Sequence, residues 1–322
     1  MLRKLNPFVK SFLQNKFNMR TENGTRIFEG KVDYAEGKMA RLLQITDFIR
    51  EKDGGEDFLR KTKLVSIVAG TSERNLVYAE KKQEAAGSLG LNLEIKNLGE
   101  NVSSEEVEGE INKLKEDPNV AGVMLQLPLA DKLKGSTKKL IQLIPFEKDL
   151  DGMNEDPQVV APVAQAIWEV VKFGISELNL STPSINVVVV GARGFVGTKT
   201  IQKLESEGLK VTGIDLDTPE EERLRVIKNA EVLISVCNSP DSIHGEMLGE
   251  DIKIIGDGSY PHGDFAKDVI GKAKIAALVP GGIGPMTIAA LMEKFVNRLV
   301  VLAGEGKILT GEEVDKLMAS LL

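Results

Sequence analysis

The segment Pro280-Gly281-Gly282-Ile283-Gly284-Pro285-Met286-Thr287 places three glycines and two prolines ahead of the helical run Ile288-Ala289-Ala290-Leu291-Met292. Glycine lets a ligand approach the main chain, proline fixes φ, and the first amides of a helix have no intrahelical partner. Such a start can hold a flat polar or anionic ring edge, or it can be a tight strand-to-helix turn. Tyr78 and Lys82 fall four apart on an expected helix, hence on one face, where they can act together; Lys81 points elsewhere. Taken alone, that pair reads equally as an exposed ring with a snorkelling lysine. Gln126-Leu127-Pro128-Leu129 ends an expected strand and puts an amide at the carboxyl edge of a sheet, where ligands of open α/β sheets bind. Lys148-Asp149-Leu150-Asp151-Gly152 is an acidic turn that would be unremarkable by itself.

Gly191-Ala192-Arg193-Gly194-Phe195-Val196-Gly197 stands between the most hydrophobic strand and a helix from Thr198 to Glu207. In a Rossmann unit this turn sets backbone N–H groups and the positive helix end against a pyrophosphate. Asp215, in Gly213-Ile214-Asp215-Leu216-Asp217, ends the next strand, where an acid accepts from ribose hydroxyls and repels a 2′-phosphate. No basic residue stands near it to offset that repulsion, so NAD is expected over NADP; an Arg193 side chain folded over the ribose would reverse this.

The elements that position these groups alternate. Val32 to Lys52 reads as a helix closed by Gly54-Gly55, followed by strands at Leu64–Ala69, Leu91–Lys96 and Val120–Leu127 with helices at Asn75–Leu89 and Ser104–Glu116 between them. After Pro128, Pro145 and Pro157 comes a helix from Ala161 to Phe173. The β-branched run Ile185–Val190 is that of a strand buried on both faces of a parallel sheet. Further strands are expected at Lys210–Ile214, Glu231–Val236, Lys253–Ile255 and Ala276–Leu278, and helices at Thr287–Val301 and Thr310–Leu322. The fold class is α/β: two α/β domains, the C-terminal one a Rossmann-type doubly wound parallel sheet, with the last helices returning to the N-terminal domain. The expected bounds are an extension over 1–25, a catalytic domain over 26–159 regaining 287–322, and a dinucleotide domain over 160–286.

At 322 residues the chain can bury two sizeable cores, and a net charge of −7 argues against nucleic acid as its main partner. Its single cysteine, Cys237, excludes an intramolecular disulfide and any multi-thiolate metal site; His244 and His262 lie apart in loop-like sequence, so no metal is expected. No run of 18 or more apolar residues occurs, and no membrane span is expected. From Met1 to Thr21 the basic Arg3, Lys4, Lys10, Lys16 and Arg20 accompany Leu5, Phe8, Val9, Phe12, Leu13 and Phe17 on one helical face, without an acid. That reads as a basic amphipathic helix or as an organellar presequence. A cytoplasmic protein is expected, a mitochondrial one if the segment is a presequence.

Taken together, five ordered motifs resemble the methylenetetrahydrofolate dehydrogenase/cyclohydrolase family over roughly residues 26 to 302: Tyr78 to Lys82, Gln126 to Ala130, Lys148 to Gly152, Gly191 to Gly197 and Pro280 to Thr287. The resemblance implies oxidation of methylenetetrahydrofolate with a dinucleotide, then hydrolysis of the methenyl product to the formyl form. It implies Lys82, oriented by Gln126, as the proton-handling group, Tyr78 stacked on or bonded to the folate, and Asp151 on the pterin's amino-pyrimidine edge. Leu125 and Leu127 would flank Gln126 at the substrate, and Pro280, Gly281, Gly282, Ile283, Gly284 and Pro285 would lie along it. Gly191, Ala192, Arg193, Gly194, Val196, Gly197, Asp215 and Ser259 would hold the cofactor, and a homodimer would form through that domain. Three departures stand out. Pro162-Val163-Ala164-Gln165 replaces the family's Pro-Cys-Thr-Pro, Ala130 replaces a proline, and Ala192 stands where an arginine is usual; beside these, Asp215 to Asp217 replaces a stretch that often holds serine with a basic neighbour. Two other readings compete: a dehydrogenase of another small metabolite of shikimate or amino-acid type, which would not need Gln126, Asp151 and the Pro280 segment together, and a folate- or nucleotide-binding protein without turnover. Folate competition and cofactor reduction separate them.

Overall fold

A computed structural model describes residues 19–70, 73–155 and 159–321. The basic amphipathic segment expected over Met1–Thr21 lies almost wholly outside them. By contacts the chain forms two compact units, one containing residues up to 37 with 160–290 and the other 38–159 with 291–322. Among the described residues no helix is long and apolar enough to cross a membrane.

The smaller sheet has three parallel strands, β3 (Lys63–Val68), β4 (Asn92–Asn97) and β5 (Val120–Leu125), in the order β4-β3-β5. Its side chains alternate between two cores. Leu64, Leu93 and Met124 face one that α9 (Ile283–Glu305) fills with Leu291, Phe295, Leu299 and neighbours; Val65, Ile67, Val123 and Leu125 face the other, with Val107, Ile111 and Leu114 of α4 (Ser104–Glu116). Helix α4 has the bounds read from its sequence because its start is chemically marked. Ser103 Oγ accepts from Glu106 N–H (3.2 Å) and Glu106 Oε2 accepts from Ser103 N–H (2.7 Å), a capping box of the kind that contributes about 1 kcal/mol.

The larger sheet has the order β1-β2-β10-β9-β8-β6-β7, with β6 (Val187–Val190), β7 (Val211–Ile214), β8 (Val232–Ser235), β9 (Ile254–Asp257) and β10 (Ile275–Ala277) all parallel. The direction of connection reverses between β7 and β8 on either side of β6, the switch point of a Rossmann sheet. The hairpin of β1 (Arg20–Glu22) and β2 (Thr25–Ile27) was not anticipated and corrects the expected placement of 26–37: β2 adds to β10 in parallel, so these residues belong with the unit of the larger sheet. Three-residue strands are too short to show a period of two. Gly30, just beyond β2, donates to Gly281 O (2.9 Å), and a Cβ there would lie 1.9 Å from Gly282 O.

Two other bounds shift. The helix expected over Val32–Lys52 starts as a π-helical turn (Lys31–Ala35) before α1 (Glu36–Arg50). Gly54-Gly55 begins a further helix, α2 (Gly55–Lys61), whose N-cap Gly54 has φ +73°. Helix α3 is Glu73–Ser88, α5 Thr137–Gln142, α6 Pro162–Glu177, α7 Phe195–Ser206, α8 Glu220–Lys228 and α10 Gly311–Leu321.

Candidate active site

In the smaller unit, α3 buries Ala79, Lys82 and Ala86 along one face. The two alanines let the helix sit close to the sheet, and a lysine stands where an apolar residue would otherwise pack. Lys82 is only 2% exposed. Its Nζ donates to Gln126 Oε1 (3.3 Å) and to Asp151 Oδ1 (3.5 Å), lies 3.8 Å from Met124 Sδ and is 4.9 Å from the Tyr78 ring centroid. The expected group of Tyr78, Lys82, Gln126 and Asp151 therefore comes together around one ammonium. Lys81, one position earlier, is exposed. Gln126 is buried, and its Nε2 has no hydrogen-bond partner among the described residues. A buried unsatisfied donor costs about 1–3 kcal/mol, so a native protein that keeps one calls for an explanation such as a ligand or catalytic role.

The Lys148–Gly152 turn divides its labour. Lys148 Nζ donates to the carbonyls of Leu114, Lys115 and Asp117 (3.2, 2.8 and 2.9 Å), closing the carboxyl end of α4, and burial pushes its pKa down. Asp149 is buried and accepts from Gly152 N–H (2.8 Å) and Asn154 N–H (2.7 Å); burial pushes its carboxyl up. Both serve the turn, and Asp151, 24% exposed at its side chain, is the residue the turn presents. Leu125 is buried in the core on the other face of the sheet, and Leu127, half-buried, packs against the same core.

In the larger unit, Gly191 (φ +88°) turns the chain out of β6, and Gly197 lets α7 pass close behind it: a Cβ at 197 would lie 1.9 Å from Gly191 O. Helix α7 has Gly194 as its N-cap and no side-chain cap, so its first amides fit an anionic group, as a pyrophosphate requires. Val196 is half-buried beside them. Because β6 and β7 are neighbours, Gly191 N–H (2.9 Å) and Ala192 N–H (3.3 Å) donate to Ile214 O, which brings the turn against the end of β7. Arg193 then reaches Asp215, with its backbone N–H 3.3 Å from Oδ1 and its Nε 2.9 Å from Oδ2, and also pairs with Asp217. The sequence reading that no basic residue stands near Asp215 is thus corrected; strand adjacency supplies one.

The Pro280–Thr287 segment belongs to this unit. Pro280 and Gly281 are exposed; a Cβ on Gly281 (φ +102°) would meet nothing within 4 Å. Gly282 is buried and a Cβ there would lie 2.6 Å from Leu278 O, while Ile283 is 1% exposed. The bare backbone is therefore Pro280-Gly281, and the Ile283 side chain, expected at the substrate, is core. Helix α9 begins at Ile283, four residues earlier than expected, with Gly284 and Pro285 in a first turn that tolerates proline.

Ser259, expected to face a cofactor, is 5% exposed, and its hydroxyl is engaged: it donates to Asp264 Oδ2 (2.6 Å) and accepts from Asn238 N–H (3.2 Å). Sequence reading missed Asp264 because its side-chain partners are 5 to 29 positions away and carry no local signal. The altered Pro162–Gln165 segment forms the first turn of α6, with Pro162 at its start, Ala164 buried and Gln165 Nε2 donating to Glu169 Oε1 (2.7 Å).

Asp257, 1% exposed, accepts from the N–H groups of Ser259 (3.1 Å), Asp264 (2.8 Å) and Phe265 (3.4 Å). Burial first, then the charge of Asp264, pushes its carboxyl from 3.8 up to about 7. A carboxyl whose folded pKa is raised holds its proton more tightly folded than unfolded, so its contribution is full at low pH and is lost as pH rises from about 4 to about 7. Denaturant midpoints are expected to fall across that window, and the fall should be shallower in Asp257→Asn. Parallel slopes in the two proteins would refute the assignment.

Residues 41–151 match the tetrahydrofolate dehydrogenase/cyclohydrolase catalytic domain, and residues 162–302 match the NAD(P)-binding domain of the same family. The chain belongs to this family. The bifunctional protein FolD of Clostridium botulinum is 31% identical over 268 residues, spanning 80% of this chain and 93% of that relative. A solved 5,10-methylenetetrahydrofolate dehydrogenase from the silkworm Bombyx mori is similar at a TM-score of 0.73 and 25% identity, covering 87% of this chain and 99% of its own. The bifunctional FolD dehydrogenase/cyclohydrolase of Campylobacter jejuni shares the fold at a TM-score of 0.74 and 22% identity, covering 85% and 98%. The family expected from the five motifs is the one found.

Proposed function

We propose that the chain oxidises 5,10-methylenetetrahydrofolate to the methenyl form with NAD and hydrolyses the methenyl form to 10-formyltetrahydrofolate. The observation that carries this reading is the buried Lys82 ammonium held between Gln126, Asp151 and the Tyr78 ring. Hydrolysis adds water to the methenyl carbon, breaks the bond from that carbon to the pterin-side nitrogen and releases one proton. Lys82 is the group placed to give its proton to that nitrogen and, as the amine, to take one back from water. Gln126 holds Nζ through Oε1, leaving Nε2 to donate to a folate oxygen. Asp151 keeps part of its carboxylate exposed, where it can accept paired N–H bonds from the pterin edge. Tyr78 stacks on or bonds to the folate.

A dinucleotide bound at this turn would supply the acceptor for the hydride of the one-carbon bridge. The chain's part is to bind it through the first amides of α7 and to choose its ribose. Two carboxylates, Asp215 and Asp217, face one guanidinium, Arg193, at the end of β7, and a 2′-phosphate would have to displace that pairing. Like-charge juxtaposition costs several kcal/mol, so kcat/KM is expected to favour NAD over NADP by about tenfold or more. Reduced cofactor is followed by absorbance with methylenetetrahydrofolate as substrate, using NAD and NADP in parallel. Absence of reduction with both ends the dehydrogenase reading, whereas equal rates end the NAD preference alone. Asp215→Asn should narrow the ratio.

A further inference from the structure

At the carboxyl end of β8, residues 237–239 turn beside the cofactor turn: a Cβ on Gly191 would lie 3.0 Å from both Cys237 Cα and Cys237 N. What holds this second turn is one side chain. Asp264, 0% exposed, accepts from Ser235 Oγ (2.6 Å), Cys237 N–H (3.0 Å), Cys237 Sγ (3.2 Å), Ser239 N–H (2.7 Å) and Ser259 Oγ (2.6 Å). Ser259 passes the order on by accepting from Asn238 N–H (3.2 Å). Ser235 and Cys237 sit at the end of β8, and Ser259 follows β9, so one carboxyl ties two strand ends at the sheet's ligand-binding edge. Such an arrangement is expensive to build from hydroxyls and amides without an acceptor of four lone-pair sites.

We propose that Asp264 is a positioning residue for the dinucleotide: it fixes the 237–239 turn, and that turn sets the place of the Gly191 turn against which the dinucleotide binds. The inference rests on the dinucleotide reading of the unit and deepens it. Neither Asp264 nor its partners need touch the substrate. Asparagine at 264 would turn an amide NH2 toward donors that now find an oxygen, and the 237–239 turn would relax. Burial and Asp264 together already push the Cys237 thiol up, in keeping with an acceptor that organises its surroundings.

The test measures NADH binding directly, by its fluorescence, alongside methenyltetrahydrofolate hydrolysis without dinucleotide, on the same purified Asp264→Asn protein. The expected result is a Kd for NADH raised at least tenfold, with hydrolysis within twofold of wild type, because the Lys82 group lies in the other unit. Unchanged NADH affinity in a protein that still hydrolyses methenyltetrahydrofolate overturns the proposal. If Asp264→Asn does not accumulate folded, the Ser235→Ala/Ser259→Ala double variant removes two donors and keeps the carboxyl; its Kd should rise at least threefold, and an unchanged Kd again overturns the proposal. Failure of the functional reading is distinguishable, since a wild-type protein that binds NADH without turning over folate leaves the binding comparison intact.

Discussion

Lys82→Met is expected to slow methenyltetrahydrofolate hydrolysis by roughly 10²–10⁴-fold, the range that a positioned acid–base group contributes. Methionine keeps the length of the side chain and can lie along the same Ala79–Ala86 face of α3, so the substitution removes the ammonium and little else. Gln126 Oε1 and Asp151 Oδ1 lose their shared donor. The amide is buried, so an unsatisfied acceptor costs about 1–3 kcal/mol, partly offset because a buried charge no longer needs solvation by protein. Melting temperature should therefore move little compared with the rate. Oxidation of methylenetetrahydrofolate needs no protein base, since the hydride leaves a cation stabilised by its own nitrogens, and it should persist. Absorbance of the methenyl chromophore follows both activities in one cuvette. Hydrolysis at the wild-type rate would remove Lys82 from the mechanism, and parallel loss of both activities would recast it as a residue for folate binding alone.

Gly197→Ala should produce the complementary phenotype. The added methyl would stand 1.9 Å from Gly191 O and 2.8 Å from Gly191 C, both backbone atoms of the turn itself, so no side chain can yield to it. Overpacking of this kind costs about 1–3 kcal/mol, relieved by a shift of the turn that carries its amides away from the pyrophosphate, and KM for NAD is expected to rise by roughly tenfold. Hydrolysis, which we assign to the Lys82 group of the other unit, should stay near wild type. A variant with normal KM for NAD would mean that the turn moves to make room and does not hold the pyrophosphate.

The two variants divide the chemistry because the sequence had already separated its signals. Tyr78 and Lys82 were legible as a pair because four residues make about one helical turn, and the cofactor turn was legible because glycines stood between a run of four valines, Val187–Val190, and a helix. Helix Ser104–Glu116 was read to the residue because its capping box is local chemistry. The hairpin Arg20–Ile27 and the helix Gly55–Lys61 were not, the first because its strands are shorter than one detectable period and the second because Gly54-Gly55 serves to start a helix as readily as to end one.

Side-chain roles divided along a different line. In Lys148–Gly152 the residue types were visible, yet nothing in the turn's own sequence distinguishes Asp149, which binds the backbone three and five residues on, from Asp151, which faces Lys82. Arg193 stands on Asp215 only because β6 and β7 are adjacent, and Asp264 gathers β8 and β9 only because those strands are. Periodicity, caps and glycine turns are properties of a few consecutive residues, so the amino-acid order alone specified the alternation of elements, the family's five motifs and the Tyr78–Lys82 pair on one helix face. Pairing of charges and satisfaction of buried carboxyls depend on which strands lie side by side, and those were settled in folding, by hydrogen bonds between residues 22 to 29 positions apart.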